Sequence, residues 1–179
     1  MPFLGAGIDN PDTTSINEFV RDDYYTRFLG IGDFVPDGVA THVASSLGTS
    51  RWGFVQFPDA ATSAANAQFY VPALWNSGTF NITGYLSNAT ATAGNVRMVV
   101  NMLAATSAES LSTSTSATNI VAAPGQHTFT TWSATGITVD GGDTLIFLRV
   151  LRTGADAADT FAGNIGFLGL KLTYLPSRR

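Results

Sequence analysis

The chain contains no cysteine, two histidines and two glutamates among 179 residues. Without cysteine there is no disulfide framework, no thiolate metal site and no thiol nucleophile, and redox conditions place no limit on where the protein works. Charged residues make up only 12%, with a formal charge of -4. That balance offers no electrostatic footprint for nucleic acid. No apolar run reaches membrane-spanning length, and the opening Met1-Pro-Phe-Leu-Gly-Ala-Gly7 lacks the basic region and apolar core of a signal peptide. The expectation is a chain with no membrane partner, outside the classical secretory route.

Catalytic machinery is equally scarce. His42 and His127 each stand alone among apolar or hydroxyl neighbours, which favours an ordinary imidazole over a ligand or a base. Glu18 sits where a helix cap would, and Glu109 lies in a Ser/Thr run, so no glycosidase-type carboxylate pair is apparent. Asp140 with Asp143, and Asp156 with Asp159, cluster beside glycines; turn formation explains both, with a Ca2+ site as the alternative. Asn81-Ile-Thr83 and Asn88-Ala-Thr90 match the glycosylation sequon, a signal that is idle without secretion. No phosphate loop, nucleophile elbow or zinc motif occurs. The reading is a protein that is not an enzyme and takes no cofactor.

What the chain does have is strands. Asp143 to Arg152 is apolar on both faces, with Leu145, Phe147 and Leu151 on one and Ile146, Leu148 and Val150 on the other. Such a strand needs cover on both sides, from a facing sheet and from a loop, an arm or another subunit. Asn164 to Tyr174 alternates, placing Leu168, Leu170, Leu172 and Tyr174 on one face and Phe167, Gly169, Lys171 and Thr173 on the other. Further strands are expected at Thr41–Ala44, Trp52–Phe57, Gln68–Val71, Gly78–Leu86, Asn95–Ala104, Thr128–Trp132 and Ile137–Val139, separated by prolines and glycines. Thr106 to Thr118 is almost entirely Ser, Thr and Ala, and reads as an exposed connection with at most an edge strand. This pattern predicts an all-β fold, an antiparallel two-sheet sandwich of jelly-roll type over residues 41–179.

Residues 1–40 read as a separate arm. They hold Asp9, Asp12, Glu18, Asp22, Asp23, Asp33 and Asp37 against Arg21 and Arg27. Ser15-Ile-Asn-Glu18 has capping-box spacing, and Ile16, Phe19, Val20, Tyr24 and Phe28 recur near the helical period, predicting a short helix over about residues 16–29. Its apolar face has no local partner, so Phe19, Tyr24 and Phe28 are the expected docking anchors, oriented by Asp22 and Asp23.

Val71-Pro-Ala-Leu-Trp75 followed by Gly78-Thr-Phe80, Gly94-Asn-Val-Arg-Met-Val99, Gly142 to Arg152, Asp156-Ala-Ala-Asp159 and Gly166 to Tyr174 together resemble tailed-bacteriophage virion proteins of jelly-roll type. The resemblance spans about residues 52–175 and leaves the arm uncovered. It implies a capsid decoration or cement protein on the virion surface, a homotrimer whose partner is the major capsid protein or another virion protein, with no cofactor. Arg149 and Arg152 would then pair with a neighbour's carboxylate. Two alternatives remain open. One is a tail-fibre tip domain recognising a cell-surface glycan. The other is a carbohydrate-binding module in which Trp52, Trp75 or Trp132 stacks on sugar.

Overall fold

The computed structural model describes residues 25–47, 50–71, 78–107, 114–139 and 143–174. In chain order its strands are β1 (Tyr25–Gly30), β2 (Val35–Asp37), β3 (Thr41–Leu47), β4 (Ser50–Phe57), β5 (Thr62–Tyr70) and β6 (Gly78–Asn88), then β7 (Asn95–Ala105), β8 (Thr115–Ala122), β9 (Phe129–Val139), β10 (Leu145–Thr153) and β11 (Ile165–Tyr174). Every pairing is antiparallel. One sheet runs β3-β4-β11-β6-β9 with β1 also on β11, and the other runs β2-β5-β10-β7-β8. The expected two-sheet jelly-roll sandwich is the fold.

Period two explains the core. Val96, Met98 and Val100 of β7 and Ile146, Leu148 and Val150 of β10 are all but fully buried, and face Phe80, Ile82 and Leu86 from the opposite sheet. Phe167 anchors the middle, stacked on Phe57 at 5.8 Å and met edge-on by Phe34 at 5.0 Å.

Several sequence expectations need correction. The helix over residues 16–29 is not formed where it can be seen: Tyr25–Gly30 is β1, paired with Tyr174–Gly169 of β11. The helical spacing was misleading because β1 buries Leu29, lays Arg27 over the Phe69 ring at 4.8 Å and leaves Phe28 outside, which is a strand's alternation. Ile31–Asp33 is a single 3-10 turn that carries the chain to β2, which pairs with β5 in the other sheet. From Tyr25 onward the supposed arm is therefore part of the sandwich. Phe19, Asp22, Asp23 and Tyr24 lie outside the described residues.

Strand β11 does not keep a single phase. A bulge between Phe167 and Gly169 sits at a left-handed backbone, with Gly169 at φ 122°. It turns Ile165 and Phe167 inward before it and Leu170, Leu172 and Tyr174 inward after it, leaving Leu168 only half-buried. Strand β5 starts at Thr62, well before the expected Gln68, and the expected strands at Thr128–Trp132 and Ile137–Val139 are one strand, β9. The end of the Ser/Thr-rich run becomes β8, an edge strand on β7.

Candidate functional site

Parity and register assemble a site on the outer face of the five-stranded sheet. On β10 the even residues point into the core, so Leu145, Phe147 and Arg149 point outward. Arg149 is opposite Asn66 of β5 and Asn101 of β7, and those two lie opposite Val35 of β2 and Ser116 of β8. The result is a polar row across the sheet: Val35, Asn66, Arg149, Asn101, Ser116. One pair further along, Gln68, Phe147 and Leu103 form a second, mostly apolar row. Apart from Ser116, these two rows line a groove of about 660 Å3, to which Asp33 and Ser114 also contribute. Its size is in the range of ligand-binding clefts.

Two polar groups of the groove, Arg149 and Asn101, are held in place from within the chain. Arg149 Nη2 donates to Asp37 Oδ2 at 2.8 Å, a bond from β10 across β5 to β2. Ser116 Oγ donates to Asn101 Oδ1 at 2.8 Å, which leaves the Asn101 amide hydrogens for a ligand. Asn66, Gln68 and Asn101 are amides, each both donor and acceptor, set beside the half-buried ring of Phe147. A surface of this kind hydrogen-bonds hydroxyl groups while an apolar face rests on the ring. Sequence reasoning finds the two-faced character of β10 and leaves the cover of its second face to a loop, an arm or another subunit. In the fold that face is the floor of the groove.

Arg152 was expected at a subunit boundary, but it belongs to the interior. Its guanidinium has no exposed surface and grips the equally buried Asp159 with two bonds, Nε to Oδ2 at 3.0 Å and Nη2 to Oδ1 at 2.8 Å. The carbonyls of Phe57, Phe161 and Gly163 and the Asp59 carboxylate accept its other hydrogens. The same Asp159 also accepts the Arg97 backbone N–H at 3.0 Å, and Asp156 pairs with Arg97 at 3.4 Å. Of the loop carboxylates considered for Ca2+, Asp156 and Asp159 are thus engaged by arginines; Asp140 lies outside the described residues. Phe28, by contrast, is exposed on the other sheet.

The tryptophans do not form the expected sugar platform where they can be seen. Trp132 is buried in the core with its Nε1 unpartnered among the described residues, its ring lying against Gly84. Trp75 and the side chain of Trp52 lie outside the described residues. Asn88 is fully buried, donating to the carbonyls of Thr92 and Pro124 and accepting from Thr90, so that sequon is a structural turn. His42 Nε2 lies 2.9 Å from the Phe34 carbonyl oxygen.

No family profile and no curated protein matches the chain. Solved structures do. An isomalto-dextranase from Arthrobacter globiformis, complexed with panose, aligns over 82% of this chain and 23% of its own at 20% identity and a TM-score of 0.55. The C-terminal CBM6 of the laminarinase LamC from Zobellia galactanivorans aligns over 84% and 100% at 15% identity, with a TM-score of 0.50. A family 35 carbohydrate binding module from Clostridium thermocellum aligns over 83% and 97% at 15% identity, with a TM-score of 0.51. The chain spans about a quarter of the first and nearly all of the other two. None of the three is named as a virion protein. At these identities the likeness is one of fold, the jelly-roll sandwich of carbohydrate-binding modules.

Proposed function

We propose that the protein is a non-catalytic glycan-binding module and that a neutral oligosaccharide lies in the groove of the five-stranded sheet. The observation that carries this reading is the pairing of one amide-rich row, Asn66, Arg149 and Asn101, with one apolar row centred on Phe147. A pyranose presents that same division, hydroxyls at its rim and C–H groups on its faces. Neutrality follows from charge: Arg149 is compensated by Asp37 at 2.8 Å, and Asp33 also lines the groove. An anionic sugar would have to compete with Asp37 for the guanidinium. The fold shared with modules that are carbohydrate-binding by name adds support.

A capsid-decorating role draws no support from the described surface. Arg152, one of its expected contacts, is spent inside the chain, and its arm anchors Phe19, Asp22, Asp23 and Tyr24 are outside the described residues. The glycan reading is tested by affinity electrophoresis through gels containing β-glucan, xylan, galactomannan or dextran. At least one polymer should retard the protein, and Phe147→Ala should weaken binding by about 30-fold, the loss of one anchoring aromatic. Unchanged mobility in every gel, or retardation that Phe147→Ala leaves intact, would refute the reading.

A further inference from the structure

The groove is not closed evenly along the strand direction. On the side towards Thr153 it has a rim: the Arg149–Asp37 ion pair bridges β10 to β2, and the Ser116–Asn101 hydrogen bond bridges β8 to β7, both at 2.8 Å. On the opposite side the next row is Tyr70, Leu145 and Ala105. Here β7 contributes Ala105, which is small and buried, and Leu145 is half-buried. Tyr70, at the β5 end of this row, has 79% of its surface exposed.

Its placement follows from parity. Tyr70, Gln68 and Asn66 share one face of β5, and a step of two residues along a strand is about 7 Å. Tyr70 is opposite Leu145 and therefore diagonal to Phe147, within the reach of ring-sized side chains. The other exposed aromatics among the described residues are on the second sheet: Phe129, with Tyr85 at 6.4 Å, and Phe28 on β1. Among the described residues Tyr70 is the one exposed aromatic on the sheet that carries the groove. A tyrosine so placed offers a ring face to C–H groups and a hydroxyl to a polar ligand, at a low cost in side-chain entropy.

We infer that Tyr70 is a second stacking platform of the groove, and that the ligand is an extended chain running from Phe147 past Leu145 to Tyr70. This rests on the glycan reading above. It assigns the class of ligand more narrowly: an internal stretch of a linear polysaccharide held at two rings, in place of a single terminal sugar.

The test uses disaccharide and hexasaccharide members of the cello-, xylo-, manno- and isomalto-oligosaccharide series, titrated calorimetrically into wild type, Tyr70→Ala, Tyr70→Phe and Phe147→Ala. Wild type should bind one hexasaccharide more tightly than its disaccharide. Tyr70→Ala should weaken the hexasaccharide by roughly 3- to 10-fold and leave the disaccharide unchanged, with Tyr70→Phe retaining most of the gain. Because Tyr70 is exposed, the two Tyr70 variants should melt as wild type does. If Phe147→Ala loses binding while Tyr70→Ala does not, or if Tyr70→Ala weakens both lengths equally, the second platform is overturned and the groove stands. If wild type binds none of the series, or Phe147→Ala binds as wild type does, the glycan reading and this inference fall together.

Discussion

Arg152 is fully charged and fully buried, and the fold accommodates it by giving all of its donors acceptors. Such an ion pair gains little over a well-packed apolar pair, but removing one partner strands the other. Arg152→Met should therefore cost about 3–5 kcal/mol, read as a large fall in thermal midpoint, because Asp159 would be left charged and unpaired in the interior. A midpoint within a degree or so of wild type would show that the network is dispensable. Gly84→Ala is a second residue-scale test: the added Cβ would overlap the buried Trp132 indole, and the expected loss is about 1–3 kcal/mol by chemical denaturation. Alternation alone placed Arg152 on the same face as Ile146, Leu148 and Val150, which is the core face. It was read as an interface residue because charge is ordinarily excluded from cores, and the acceptors that reverse this come from Asp59, Phe57 and the loop after β10.

Among the elements, those with large alternating apolar residues, β6, β7 and β10, were legible, while β1, β2 and the first half of β5 were not. Thr62 to Ala67 of β5 is Thr, Ser, Ala and Asn, side chains too small to show a period, yet Ala64, Ala65 and Ala67 are buried because neighbouring strands supply the bulk. Gly169 shows how one backbone angle can defeat pattern reading. A Cβ there would lie 2.5 Å from the Leu29 carbonyl oxygen, so Gly169→Ala should force β1 away from β11 and cost more than about 1 kcal/mol. Faster amide exchange in β1 would accompany it; a variant with wild-type exchange at Leu29 and Gly30 would contradict that account. Residues 1–35 include β1 and Phe34, which belong to the sandwich. With β1 on β11 and Phe34 against Phe167, a chain lacking those residues should lose cooperative unfolding or solubility.

At the scale of the whole molecule, the groove is a composite that exists only once four strands are in register. Asn66, Gln68, Asn101, Phe147 and Arg149 are scattered over more than eighty positions, and nothing local marks an Asn on β5 as a neighbour of an Asn on β7. Sequence alone could see that the outer face of β10 needed cover. It could not tell a subunit from a sugar, because both cover apolar surface. The proposal of a sugar rests on the amides beside Phe147 and on the paired charges along one side of the groove. The most direct measurement is an amide and side-chain NMR titration of the full chain with the oligosaccharide series used above. A glycan seated in the groove should shift the signals of Asn66, Gln68, Asn101 and Arg149 together, saturably and at one dissociation constant. Shifts confined to the opposite sheet around Tyr85 and Phe129, or no saturable shifts with any member of the series, would contradict it.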